Sequence, residues 1–224
     1  VELRRRKGTR HLRLSLNLRN QIVLSLPWHC SRRSACQFIE QNRQWLEGQL
    51  ASAPEVVGLR PWLEASPWLT VGGARLPVAF QTVNGSRAHC CVTADKARVD
   101  FQVPAGAGEF TLNNLIRKFA ARVLRERTSE LAARHGLQFS RLTVRNQSSR
   151  WGSCSSKRAI SLNWRLVLIE PALQDYIILH ELAHLREMNH SQRFWQLLES
   201  YDPERERHEA ELDALTPKIM RVGA

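Results

Sequence analysis

Three scarcities bound what this chain can be. It has only five cysteines in 224 residues, Cys30, Cys36, Cys90, Cys91 and Cys154. The number is odd, no CxxC pair occurs, and no spacing suggests a disulfide framework or a thiolate zinc knuckle. Such cysteine usage reads as a reducing, cytoplasmic setting. No apolar run approaches the roughly 18 to 20 residues of a membrane span, and the first segment alternates leucine with arginine, unlike a signal-peptide core. A soluble protein is the expectation. Acidic residues are outnumbered, 21 against 33 lysines and arginines, giving a net charge of +12 and a pI near 10.5. That balance favours encounter with polyanions or a membrane surface and says nothing about chemistry. Internal repeats, low-complexity tracts and a P-loop are also missing.

What is present is a 43% hydrophobic content, enough for a real core in one large or two small domains. From Leu12 to Leu26 apolar and polar residues alternate, predicting a hairpin with its turn near Asn20 and a second strand ending at Pro27. Helical spacing follows from about Ser31 or Ser34 to Ala51. Alternation returns between Leu69 and Val103, with Asn84-Gly85 and the run 94–97 as turns between three strands expected to be antiparallel. The "PAGAG" stretch, 104–108, reads as the linker between an N-terminal β-rich subdomain with one helix, 1–107, and a catalytic domain, 108–224. Beyond it, a long helix is predicted from Glu109 to a stop at Gly136. "RLTVRN" and "AISLNWRLVL" read as strands flanking a polar loop, and Pro171 suits the first turn of another helix.

That helix carries "HELAH", 180–184. At 100° per residue His180 and His184 lie about 40° apart on one stripe, so their ring nitrogens can converge on one ion. In such an H-E-x-x-H arrangement two neutral imidazoles hold zinc, and the carboxylate, here Glu181, takes a proton from water that the ion has acidified. A chain of this composition produces the pattern by chance about 0.02 times. Tyr176, Ile177, Ile178, Leu179, Leu182, Ala183 and Leu185 surround the three polar residues, and a helix apolar all round is buried. Buried polar groups without partners cost a few kcal/mol each, and metal ligation would satisfy all three.

A third protein ligand is the usual complement. On an unbroken helix Glu187 would lie about 20° from His180 and His190 about 80° away. His190 therefore reaches the ion only if the helix stops between Leu185 and Asn189, a stop that Asn189 could make in the left-handed conformation. Helical periodicity restarts after Ser191 at Phe194, Trp195, Leu197, Leu198 and Tyr201, favouring the break and His190. Phe194 and Trp195 are expected to pack beneath the site.

"RWGSCSSKRAISLNWRLVLIEP" followed by "DYIILHELAHLREMNHSQRFW" resembles the YgjP-like metal-dependent hydrolases, relatives of the WLM and SprT-like zinc metallopeptidases. The likeness is close over 141–202 and extends to "RRRKGTRHLRLSL" and "FIEQNRQWL". It implies an α+β fold with a gluzincin-like, SprT-like core: a long helix, a small mixed sheet whose edge faces the cleft, and the motif helix. It also implies His180, His184 and His190 as Zn²⁺ ligands and Glu181 as general base. The histidine spacing equals that of metzincins, but Glu187 stands where their glycine belongs.

For a peptidase, "ISLNW", 160–164, is the candidate edge strand, and Arg150, Trp151 and Asn163 are the candidate substrate contacts, with Ser153 beside them. Tyr176 and Tyr201 are candidates to meet a developing oxyanion, Asp175 and Glu199 to orient an imidazole, and Cys154 is read as a small buried hydrophobe. The leading expectation is a zinc-dependent metallopeptidase acting on protein or peptide. Its rivals are a nucleotide phosphohydrolase, with Arg150 and Arg165 on phosphates, and a noncatalytic binding module with structural zinc. The basic residues Arg4 to Lys7, Arg10, Arg13, Arg32 and Arg33 suggest a polyanion or nucleic-acid contact.

Overall fold

Leucines alternating with polar residues early in the chain build a small sheet. In the computed structural model, which describes residues 1–224, β1 (Glu2–Arg6), β2 (Arg13–Leu16) and β3 (Ile22–Pro27) form a sheet in the order β1-β3-β2. β2 and β3 are the expected antiparallel hairpin, turned at Asn20 with φ 56°. β1 runs parallel to β3 and is exposed along its length, so Arg4, Arg5 and Arg6 face solvent. The single helix expected after the hairpin is two, α1 (Arg32–Gln41) and α2 (Arg43–Ser52). Asn42 interrupts them, its side chain donating to the Phe38 carbonyl at 2.8 Å. Ser31 caps α1 by accepting from the Ser34 amide. Leu24, Leu26 and Ala35 are the core of this unit, Val1–Val57.

The second compact unit is Gly58–Gly223. The units part at Val57 and Gly58, not at the "PAGAG" stretch where composition placed the boundary. That stretch is only a turn, Gly106 at φ 76°, between β7 (Val99–Pro104) and α4 (Glu109–Arg134). The carboxylate of Glu109 accepts from the Leu59 and Arg60 amides at 2.8 and 3.1 Å, joining α3 (Leu59–Ala65) to the start of α4. Where three antiparallel strands were expected there are four: β4 (Trp68–Val71), β5 (Ala74–Val83), β6 (His89–Val92) and β7, ordered β4-β5-β7-β6. β7 returns between β5 and β6 and lies parallel to β5.

α4 buries Leu112, Ile116, Phe119, Val123, Leu124 and Leu131 and stops at Gly136, φ 60°. A second sheet follows, β8 (Arg141–Arg145), β9 (Gly152–Cys154) and β10 (Ala159–Asn163), in the order β8-β10-β9. β10 is therefore central, and the expected "ISLNW" edge is occupied on both sides. Past Asn163 the chain tightens into a 3-10 helix, Trp164–Leu168, that the apolar run did not reveal. α5 (Pro171–Ala183) begins at its proline, as expected, and α6 (Gln192–Tyr201) and α7 (Arg205–Ile219) pack against it. The fold is α+β with a long helix, a small mixed sheet and the motif helix. No helix is long and apolar enough to cross a membrane.

Candidate metal centre

The motif helix is buried on almost every face: Tyr176, Ile177, Ile178, Leu179, Leu182 and Ala183 are all core. A buried guanidinium fixes its N-terminal half. Arg127 of α4, 7% exposed, donates from Nε to Asp175 at 2.8 Å and pairs again through Nη2. Burying a charge this deeply is tolerable only when it is paired in this way.

α5 ends earlier than the third-ligand argument required, at Ala183, with His184 as its cap. The chain then turns through Leu185 and Arg186, whose amides bond the Leu182 and Ala183 carbonyls, and the Glu187 amide also reaches Ala183. Asn189 is not in the left-handed region: among non-glycine residues only Asn20, Lys96 and Arg158 have positive φ. Successive right-handed turns reverse the chain instead, and His190 comes back over α5.

Ligand-capable atoms of His180, His184 and His190 all lie within 4.8 Å of one another. Nε2 of His180 is 3.1 Å from Nε2 of His190. Nδ1 of His184 donates to the Glu187 carbonyl at 3.0 Å, which fixes the ring and leaves Nε2 with its lone pair. Glu187 thus serves through its backbone. Neither Asp175, committed to Arg127, nor exposed Glu199 orients an imidazole.

Phe194, fully buried, is the floor of the cluster, 4.6 to 5.0 Å from all three rings, and Trp195 stacks on His190 at 5.5 Å. Burial, followed by the neighbouring imidazoles, pushes His180 down to about 4, and burial also lowers His184. Both are neutral donors at ordinary pH. Three converging imidazoles suit a borderline transition-metal ion and not calcium or magnesium, which prefer oxygen.

Glu181 is 6% exposed, and its Oε2 is buried without a hydrogen-bond partner. Burial raises the carboxyl to about 8, against the pull of the Arg150 guanidinium. Such an orphaned acid beside three converging imidazoles fits a cation and its water. Gly152 of β9 makes room for it, since a β-carbon there would sit 2.5 Å from Glu181 Oε1. The Trp-Gly pair in "RWGSC" was the available signal, but only the fold reveals what the glycine approaches.

The other sequence candidates divide. Arg150 is exposed and close enough to act on Glu181. Trp151 is buried and donates from Nε1 to Thr216 of α7 at 2.7 Å. Asn163 is fully buried, donating to the Gln147 and Arg150 carbonyls and accepting from the Arg165 amide. Trp151 and Asn163 therefore hold the polar loop from within and do not face a substrate. Ser153 is half-buried on β9. Tyr176 is interior, edge-on to His180 and near His208, while Tyr201 lies against His135. Burial, then the charge of Glu181, raises the Cys154 thiol to about 11, so it is no nucleophile.

An α+β unit whose motif helix and reversed chain bring three imidazoles together, with a buried carboxylate on the same helix, has the make-up of a metallohydrolase. Residues 10–215 match the YgjP-like, metallopeptidase domain family, and the chain belongs to that family. A metallopeptidase requires a metal ion, and the histidine triad could hold one. Among solved structures, the zymogens of the metallopeptidases abylysin from Pyrococcus abyssi and jannalysin from Methanocaldococcus jannaschii are similar. Each is 24% identical with a TM-score of 0.37. They cover 42% and 41% of this chain and 97% and 94% of their own. No curated protein matches the chain.

Proposed function

We propose that the chain is a zinc-dependent peptidase in which His180, His184 and His190 hold Zn²⁺ and Glu181 is the general base. The carrying observation is the buried, unpartnered Glu181 Oε2 next to a triad whose ligand atoms lie within 4.8 Å. Bound there, zinc supplies a Lewis acid that polarises a carbonyl and lowers the pKa of water to about 7. Glu181, unable to share its Oε2 lone pairs with any protein donor, is free to accept the proton of the attacking water and pass it to the leaving amine. The cation's charge would ionise this carboxyl below the value that burial alone gives it.

β9 is the free strand edge beside Glu181. Its Ser153 pairs with Ser161 of β10, and the flanking bonds Ser155 to Ala159 and Asn163 to Trp151 set the alternation. Gly152 and Cys154 therefore turn their amides and carbonyls away from β10, and an extended substrate backbone can pair with them. Arg150 stands at the start of this edge to meet a polar substrate group.

The phosphohydrolase reading loses one of its two anchors. Arg165 is fully buried, its Nε donating to the Val222 carbonyl and its Nη1 to Asn146 Oδ1, so it offers no accessible guanidinium to a phosphate. A purely structural metal gives no reason for the orphaned acid. The test compares wild type with Glu181→Gln, both zinc-loaded, on unfolded protein and on nucleoside triphosphates. Peptide-bond cleavage that falls by roughly 100-fold or more in the variant is expected. Glu181-dependent phosphate release without proteolysis would replace this reading with its rival.

A further inference from the structure

A second strand edge lies in the same unit, at β6, beside a groove that the metal centre does not use. Thr93 and Arg98 bond through the Thr93 amide, and β6 pairs with β7 in the register His89 to Gln102, Cys90 to Phe101, Cys91 to Asp100 and Val92 to Val99. In an antiparallel ladder the bonded pairs alternate. The amides and carbonyls of Cys90 and Val92 therefore point away from β7. No further strand pairs with them, because β6 is last in its sheet.

Facing this edge, α4 presents Thr111, Leu115, Lys118 and Arg122, a stripe at i, i+4, i+7 and i+11. The stripe runs for about 16 Å, the span of roughly five extended residues. Between helix and strand is a cavity of about 480 Å³. Its apolar lining includes Phe119, half-buried Leu115 and Phe110, which is 80% exposed. No acidic residue lines it. Lys118 is exposed with no ion pair, and exposed Arg122 lies over the Phe119 ring at 5.4 Å and makes one ion pair, a 3.5 Å contact with Glu126.

We infer that this groove docks an extended segment of another polypeptide, which adds as a strand to β6 and carries apolar and acidic side chains on its inward face. The apolar side chains cover Phe110 and Leu115, and the acidic ones meet Lys118 and Arg122. Main-chain bonds at Cys90 and Val92 give a sequence-tolerant grip, and the cations choose acidic segments. Long apolar edges are a hazard that proteins normally cover or charge. Here the edge is short and the charges are of one sign, which selects a partner instead of repelling all of them.

The test uses the full chain and a fluorescein-labelled peptide of about nine residues with leucine, leucine, aspartate and aspartate at alternate positions, separated by threonines. Fluorescence anisotropy should report saturable binding. Lys118→Glu combined with Arg122→Glu, both at exposed positions, should weaken it by at least about tenfold. A proline at the peptide's centre should abolish it, and hydrogen exchange should slow at the Cys90 and Val92 amides when peptide is added. Glu181→Gln should bind unchanged. The inference is overturned by absence of binding, by binding insensitive to the charge reversals or without protection of those amides, or by loss of binding in Glu181→Gln. It is equally overturned if the chain self-associates through this face in a way that Phe110→Asp abolishes, or if a single-stranded oligonucleotide and not the peptide is what the charge reversals release.

Discussion

Gly152 constrains the proposed base through the side chain that it lacks. Replacing it with alanine puts a β-carbon 2.5 Å from Glu181 Oε1 and 2.6 Å from its γ-carbon, and the carboxylate is too confined to step aside freely. Gly152→Ala should therefore cost about 1–3 kcal/mol of stability and cut peptidase activity more than tenfold while zinc content stays the same. Elemental analysis beside an activity assay checks the split; an active variant would mean Glu181 is not the base. The triad itself was legible in the sequence because helical periodicity puts His180 and His184 on one stripe. The partner of His184 was not, because a backbone carbonyl, that of Glu187, has no sequence signature. Trp151 and Asn163 misled for a related reason. Polar residues near a polar loop look exposed until the fold shows them satisfying buried groups.

At the scale of elements, α5 is aimed by its tie to α4. Asp175→Ala would strand the buried Arg127 guanidinium with Glu130 alone, and on the order of 3 kcal/mol of stability should be lost. The Arg75 to Glu170 pair at the N-terminus of the same helix is largely exposed, so Glu170→Ala should cost under about 1 kcal/mol. Urea midpoints of the two variants decide between these outcomes, and equal losses would refute the assigned role of Arg127. Elements marked by punctuation were readable: the hairpin turned at Asn20, the stop of α4 at Gly136 and the start of α5 at Pro171. β1 was hidden because "ELRRR" has no alternation, and the break at Asn42 because apolar spacing runs on across it. Period-two patterning fixes the face of a strand but not its neighbour or direction, so the parallel β5–β7 pair and the central place of β10 could not be read.

For the whole molecule, two opposed proton linkages should govern the metal-free form. Glu181 has its folded pKa raised from 4.5 to about 8, so the folded state holds the extra proton between those values and its contribution is lost as pH rises through about 8. His180 is lowered from 6.5 to about 4, so its contribution is intact above 6.5 and is lost as pH falls toward 4. The two partly cancel between 4.5 and 6.5, leaving Glu181 to act above. Metal-free wild type should then lose stability from pH 6.5 to 8.5, and Glu181→Gln should show a flatter profile, as followed by chemical denaturation at each pH. Identical slopes would contradict the assignment of a buried, neutral carboxyl.

The central claim is that one cation is shared by His180, His184 and His190. Its most direct measurement is the zinc K-edge absorption spectrum of the zinc-loaded chain. Three imidazole nitrogens at about 2.0–2.1 Å and no sulfur are predicted, with the number of imidazoles falling to two in His190→Ala. Sulfur scatterers near 2.3 Å, or a spectrum unchanged by that substitution, would contradict it.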